Sequence, residues 1–347
     1  MATTTNNVSS ITKERIEYID LAKGLCISLV LLRHVATMFK VSYPFAEEMT
    51  IFRMPLYFVL SGLFFKEYSG FSNFFKRKIN KLLIPFFAFY ILFSIIFPNL
   101  MSVIAPDFIP LNHLGMKSLT GIYYEKSYNI PIWFLLCLFF DNVLFYLVLL
   151  LSKKITKHYI YPLAIFSLAI GVGGFVLGYN VINIPFYLDT TMTCLPFFCL
   201  GYILMNYTKI LVKNSFDKYL PFFVPLCFLF VYFFAKPLEY ESNDLDSATM
   251  FSMYSCGVIG TLGILFLAKM LKRLPLFSYI GQYSIMILCT HYILMKFPYA
   301  LLVRLHILPS LSMIITLVIL LLSYYAFIPL MKRFMPHITA QKNLIRV

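Results

Sequence analysis

The sequence predicts an all-α, polytopic membrane protein with about ten transmembrane helices and with both termini in the cytoplasm. Its 347 residues are 60% hydrophobic and only 13% charged, and the mean hydropathy is +0.81. A soluble domain carries about 25% charged residues. The apolar residues also form stretches of about 20 residues, which is the length that an α-helix needs to cross a bilayer.

Ten apolar segments are separated by links that are charged or rich in proline and asparagine. They lie at 19–39, 50–66, 80–99, 130–151, 159–178, 184–206, 219–236, 247–270, 277–297 and 309–331. The second is the shortest, and the fifth is rich in glycine. We therefore expect a transmembrane domain over 19–334, with cytoplasmic tails at 1–18 and 335–347.

The distribution of lysine and arginine predicts the orientation. With the N-terminus inside, the inner segments hold 21 of the 29 Lys and Arg residues, the outer segments hold seven, and Arg33 lies within the first span. Membrane proteins concentrate these residues in cytoplasmic loops. This bias also accounts for the net charge of +14, so a nucleic-acid partner is not expected.

All seven cysteines lie inside apolar segments, without a Cys-x-x-Cys pair or a histidine at metal-ligand spacing. Such cysteines are typical of reduced residues that pack in a core. We expect no metal site.

The first segment contains three ionisable residues, Asp20, Lys23 and His34. Eleven residues make three helical turns, so Lys23 and His34 lie on one face about 16 Å apart, with Asp20 close to that face. Lys23 alone is also consistent with a side chain that reaches the inner interface, and His34 with a capping or satisfied interior histidine. Ionisable groups at membrane depth usually face the protein interior and mark function. Two ionisable residues on one face of the helix favour the functional interpretation.

A basic cluster, Arg77, Lys78 and Lys81, lies at the inner end of the third segment. Lys78 and Lys81 are three residues apart and so are neighbours on a helix. Cations placed in this way can bind a polyphosphate. An ordinary positive-inside cluster is the alternative.

Four further polar residues lie deep in other segments. Arg53 opens the second segment, Asp141 lies near the middle of the fourth, Asp189 lies in the outer half of the sixth, and His291 lies at a depth like that of His34. An isolated charge in hydrocarbon is costly. Together these residues predict a polar chamber that opens outward, above a basic entrance.

Two outer links differ from the rest in composition. Residues 100–129 contain His113, Tyr123, Tyr124 and Tyr128, and long loops of this kind are often functional. They are interpreted as a solvated loop or as a cover over a sugar site. Residues 237–248 contain Glu239, Glu241, Asp244 and Asp246, and are interpreted as a solvated loop.

Six motifs, in order, resemble those of the membrane-bound acyltransferase 3 family over nearly the whole chain. They are Asp20 and Lys23 followed by His34, Met54 to Phe58 with Ser61 and Gly62, Lys78 and Lys81 before Leu-Leu-Ile-Pro, Trp133 to Leu135, Pro196 to Tyr202, and Gly281, Ser284, Ile287 and His291. Lysine replaces the usual arginine at 23, 78 and 81, as in the branch that resembles fucose-type sugar O-acetylases. The acidic motif that some members carry after the tryptophan is absent, so Asp141 is only a possible substitute.

The resemblance implies transfer of an acyl group, acetyl above all, from cytoplasmic acyl-coenzyme A to a hydroxyl of a surface or exported glycan, in the inner (plasma) membrane. Acyl-coenzyme A is then a co-substrate, and no tightly bound cofactor is expected. The implied partners are the acyl donor, the carbohydrate acceptor, membrane lipids and glycan-assembly proteins.

The resemblance also suggests residue roles. The implied donor-binding residues are Lys23, Arg77, Lys78 and Lys81, with Asp20 beside them. His34 is the expected general base, Asp141 could hold its tautomer, and His291 or Arg53 could stabilise the oxyanion. Ser61, Trp133 and Asp189 are expected on the acceptor side. Direct transfer and a covalent acyl-histidine are both consistent with this set.

Two other functions are compatible with the composition. A transporter or flippase for a sugar or a lipid-linked intermediate would also contain intramembrane charges, although such proteins usually show inverted repeats and none is visible in the sequence. A non-catalytic partner in polysaccharide export would make His34 dispensable.

Overall fold

The computed structural model describes residues 17–97, 100, 129–208, 210–212 and 214–347. Most of the outer link at 100–129, including His113, Tyr123, Tyr124 and Tyr128, lies outside these residues. The described residues form helices and turns, and their only β-type pairing is an isolated bridge between Glu239 and Asp244.

Eleven helices make up the described structure. They are α1 (Glu17–Phe39), α2 (Glu48–Leu63), α3 (Phe71–Ile96), α4 (Trp133–Ile155), α5 (Ile160–Tyr179), α6 (Leu188–Tyr207), α7 (Leu220–Phe234), α8 (Met250–Leu271), α9 (Pro275–Gln282), α10 (Ser284–Arg304) and α11 (Pro309–Phe334). The predicted all-α, multi-pass membrane architecture is therefore confirmed.

Nine helices in the described part of the chain are long and apolar enough to cross a membrane. The second predicted segment is the exception, because α2 has 16 residues. At 1.5 Å per residue it is about 24 Å long, shorter than the roughly 30 Å of a bilayer core. The cytoplasmic placement of the two termini stays a prediction.

The ninth predicted segment is divided in the structure. It begins as the short helix α9, and the chain then turns at Tyr283 before α10 starts. Helix α9 packs directly on α1, since a Cβ on Gly281 would lie 1.9 Å from the Asp20 carbonyl oxygen and a Cβ on Gly24 would lie 1.8 Å from the Phe277 carbonyl oxygen. Only glycine permits this approach of two backbones.

Helices α1 and α2 lie at the centre of the bundle. Helix α1 packs on α2, α8, α9, α10 and α11, and α2 also packs on α6. A second glycine contact holds α2 to α6, because a Cβ on Gly62 would lie 2.0 Å from the Phe198 carbonyl oxygen. The predicted site residues Asp20, Lys23, His34 and Arg53 of these helices are consequently buried or half-buried.

The link at 237–248 folds into the bundle, so its interpretation as a solvated loop is wrong for about half of its residues. The Tyr240 hydroxyl donates to the Ile51 carbonyl at 3.0 Å, and the Thr190 hydroxyl donates to the Tyr240 carbonyl at 3.0 Å. The buried Asn243 amide donates to the Gly174 carbonyl at 3.2 Å. Glu239, Asp244 and Asp246 remain exposed.

The C-terminal segment, residues 335–347, folds back onto α3. The buried side chain of Asn80 accepts hydrogen bonds from the backbone N–H groups of Leu344 and Ile345 at 2.7 and 2.8 Å, and donates to the Ile345 carbonyl at 2.9 Å. The Lys81 ammonium donates to the Ala340 carbonyl. This segment is therefore part of the folded bundle.

Candidate active site

Two cavities in the described part of the helix bundle are lined by predicted site residues. The inner cavity, named for the predicted cytoplasmic side, has a volume of about 360 Å³ and contains Lys23. The outer cavity has a volume of about 450 Å³ and contains His34. Both volumes fall in the range of small-molecule sites. Phe134 and Leu288 line both cavities, so these two side chains form the septum between them.

The inner cavity is lined by three lysines. Lys23 comes from α1, and Lys78 and Lys81 come from α3, with Ser61 of α2 nearby. The Lys23 ammonium lies 4.3 Å from the centre of the Phe64 ring. No Asp or Glu is found among the described residues that line this cavity. Its electrostatic potential therefore favours an anion.

A π-helical turn at Ile79–Leu83 carries Lys81. Turns of this type widen an α-helix locally and occur frequently at functional sites. Here the turn follows Lys78, and both lysines reach the same cavity. The structure thus brings together the predicted pair and Lys23, which lies far from them in the sequence.

Two of the predicted donor-binding residues do not line the inner cavity. Arg77 is exposed, and its guanidinium stacks on the Tyr68 ring at 4.6 Å. Asp20 is buried where α1 contacts α9. The structure therefore reduces the candidate donor cluster to Lys23, Lys78 and Lys81.

The outer cavity places His34 beside two aromatic groups. The His34 and His291 rings are 5.3 Å apart between centres, and the Tyr292 ring meets His34 edge-on at 5.5 Å. His34 is partly exposed to the cavity, and Trp133 forms part of the wall. His34 is thus accessible to a small molecule in the cavity.

His291 lies behind His34 and is fully buried. Its Nδ1 is 2.8 Å from the Ile287 carbonyl oxygen. A carbonyl only accepts hydrogen bonds, so a neutral His291 carries its proton on Nδ1 and a lone pair on Nε2. That Nε2 atom is buried and makes no hydrogen bond to any described residue. It is therefore an available acceptor next to His34.

Arg53 lines the outer cavity with two unused donors. Its Nε and Nη1 atoms are buried and have no hydrogen-bond partner within the part of the chain that the structure describes. Tyr43, in the link before α2, lies within electrostatic range of Arg53, and burial raises the pKa of its phenol above the ordinary value. A buried guanidinium with unpaired N–H groups is costly, and a ligand oxygen would satisfy them.

Asp141 and Asp189 line neither cavity. Asp141 is fully buried in α4, and both of its carboxyl oxygens lack a hydrogen-bond partner. Asp189 is at the start of α6, where it hydrogen-bonds the Asn243 side chain and the Thr190 backbone N–H. The prediction that Asp141 orients His34 finds no support in this placement.

The residues of the outer cavity that were not expected from the sequence include Arg33, Glu239, Glu241 and Tyr292. Arg33 precedes His34 and was assigned to the first span without a role. The alternation of Leu238, Glu239, Tyr240 and Glu241 is the pattern of a chain with one buried and one polar side. That alternation was a signal that the link is ordered.

Comparison with known proteins gives one result. A family model described as an acyltransferase domain, that of the acyltransferase 3 family, matches residues 16–332, which is most of the chain. No curated protein matches the chain, and no solved structure matches it either. The chain belongs to the acyltransferase 3 family and is a multi-pass membrane acyltransferase.

Proposed function

We propose that this protein transfers an acetyl group from cytoplasmic acetyl-coenzyme A to a sugar hydroxyl on the outer side of the inner (plasma) membrane. One observation carries the proposal: a cationic cavity and a histidine cavity meet at a septum of two side chains, Phe134 and Leu288. Such a pair of cavities suits a donor that enters on one side and an acceptor that enters on the other.

The inner cavity would hold the phosphates of the donor. Coenzyme A carries several phosphate charges, and ammonium groups bind them through charge-assisted hydrogen bonds. Lys23, Lys78 and Lys81 supply these groups. Lys23 and His34 are three helical turns apart, about 16 Å, so the pantetheine arm would pass Phe134 and Leu288 to reach His34.

The chemistry proposed for the outer cavity begins at His34. A neutral imidazole removes the proton from the acceptor hydroxyl as that oxygen attacks the thioester carbonyl. The tetrahedral intermediate then collapses, the C–S bond breaks, and the thiolate of coenzyme A takes the proton from the His34 imidazolium. The free Nε and Nη1 donors of Arg53 are suited to stabilise the oxyanion.

His291 is proposed as a positioning residue. Its Nε2 atom accepts no hydrogen bond from a described residue. The centre of its ring is 5.3 Å from the centre of the His34 ring. An N–H of His34 that pointed toward this lone pair would leave the second His34 nitrogen free to act as the base. This takes the place of the role first expected for Asp141.

The test is transfer of labelled acetyl from acetyl-coenzyme A to a panel of sugar glycosides by the purified protein in nanodiscs. His34→Ala and His34→Gln should lose about 10²–10⁴-fold in rate, the contribution of a general base. His291→Ala should lose less. His158→Ala replaces an exposed histidine that lines neither cavity and is the matched control.

Calorimetry should find acetyl-coenzyme A affinity unchanged in both His34 variants, because the lysines lie in the other cavity. Near-normal turnover in a stable His34→Ala protein would falsify the base assignment. Sugar movement across the membrane without acetyl transfer would instead favour the transporter or flippase.

A further inference from the structure

The link at 237–248 forms one wall of the outer cavity. Its consecutive residues Leu238, Glu239, Tyr240 and Glu241 all line that cavity. The backbone is held in place by the buried Tyr240 and Asn243, which hydrogen-bond to three other parts of the bundle. The two carboxylates are therefore attached to an ordered wall.

The other charged residues that line the cavity in the described part of the chain have the opposite charge. Arg33 and Arg53 line the same space as Glu239 and Glu241, so two positive and two negative groups balance. The Arg53 Nε and Nη1 donors are buried and have no partner among the described residues, so a ligand oxygen would satisfy them. The cavity offers hydrogen-bond donors and acceptors but no net charge.

We infer that Glu239 and Glu241 select the acceptor, and that the acceptor is an uncharged sugar. This inference rests on the proposed function. Carboxylates accept hydrogen bonds from hydroxyls, and guanidinium groups donate to hydroxyl oxygens, so a sugar with free hydroxyls satisfies both sets. Trp133 supplies an aromatic face for the apolar side of the ring.

The same arrangement disfavours acidic sugars. The carboxylate of a uronate that entered the cavity would meet Glu239 and Glu241, and like charges repel. The two arginines would attract that carboxylate if the glutamates were absent. The glutamates consequently act against anionic acceptors as well as for neutral ones.

The experiment uses Glu239→Gln, Glu241→Gln and the double variant of the full chain in nanodiscs. Asp246→Asn is the matched control, because Asp246 is an exposed carboxylate of the same link and lies outside the cavity. The probes are neutral methyl hexopyranosides and the methyl uronates of the same stereochemistry. Release of free coenzyme A from acetyl-coenzyme A is measured against sugar concentration.

Each single variant should raise KM for the neutral glycoside about 10- to 100-fold, which is the loss of one charge-assisted hydrogen bond. Acetyl-coenzyme A affinity should not change. The ratio of kcat/KM for the uronate to that for the neutral sugar should rise, most of all in the double variant. Partial unfolding cannot imitate this change, because the ratio is independent of the active fraction.

Three results would overturn the inference. The first is a wild-type protein that prefers the uronate. The second is an unchanged acceptor KM and acceptor ratio in the Glu239 and Glu241 variants, as in Asp246→Asn. Either of these leaves the proposed acetyl transfer standing. The third, coenzyme A release that no sugar accelerates and that His34→Ala does not reduce, contradicts the proposed function and this inference together.

Discussion

Replacing Lys78 or Lys81 with alanine should weaken acetyl-coenzyme A binding by different amounts. Both side chains line the inner cavity, but they differ in the hydrogen bonds that they already make. Lys81 already donates to the Ala340 carbonyl of the C-terminal segment, so a phosphate would replace an existing hydrogen bond. Lys78 makes no such bond to a described residue and lies 5.5 Å from the centre of the Phe74 ring.

The magnitudes follow from this difference. A hydrogen bond between two oppositely charged groups contributes about 1.5–3 kcal/mol, and the bond from the Lys81 ammonium to an uncharged carbonyl contributes less. Lys78→Ala should therefore raise the Kd about 10- to 100-fold, with 1.4 kcal/mol for each factor of ten. Lys81→Ala loses only the difference between the two bonds, roughly 1 kcal/mol, and should raise the Kd about fivefold.

The assay is isothermal titration calorimetry of purified protein with acetyl-coenzyme A at low and at high salt. Arg77→Ala is the control, because it removes a neighbouring charge that is exposed and lies outside the cavity. Its Kd should change less than about twofold, as expected for a surface charge. Equal effects of Arg77→Ala and Lys78→Ala would show that the cluster acts through net charge alone and would refute the assignment of the cavity.

Three further predictions concern the septum, the C-terminal segment and a helix contact. Leu288→Phe adds bulk at the septum and should slow acetyl transfer while calorimetry finds donor affinity unchanged; a normal rate would show that the donor takes another path. Asn80→Ala removes three hydrogen bonds to the C-terminal segment, each contributing about 0.5–1.5 kcal/mol, and hydrogen exchange in that segment should accelerate. Gly281→Ala would place a Cβ 1.9 Å from a carbonyl oxygen. It should lower the free energy of unfolding by about 1–3 kcal/mol or more. Gly173→Ala, whose Cβ would meet only the end of a methionine at 3.3 Å, is its control, and equal melting temperatures for the two variants would contradict the close packing.

The sequence by itself determined the membrane class and the most informative helix. Helical periodicity is a local property of the chain, so the spacing of Lys23 and His34 predicted two positions on one face, three turns apart. The structure places these residues in two neighbouring cavities. Lys78 and Lys81 were predicted in the same way, from a spacing within one helix.

Only the tertiary structure decided which other polar residues meet His34. Helix α4 is apolar on nearly every side, so the sequence around Asp141 contains no sign of the direction in which that side chain points. Its rotation is set by packing, which buries Asp141 away from both cavities. Glu239 and Glu241, about 200 residues after His34 in the sequence, reach the outer cavity because Tyr240 and Asn243 anchor their link in the bundle. Contacts of this kind depend on the pairing of distant helices, and the local pattern of a sequence does not contain that pairing.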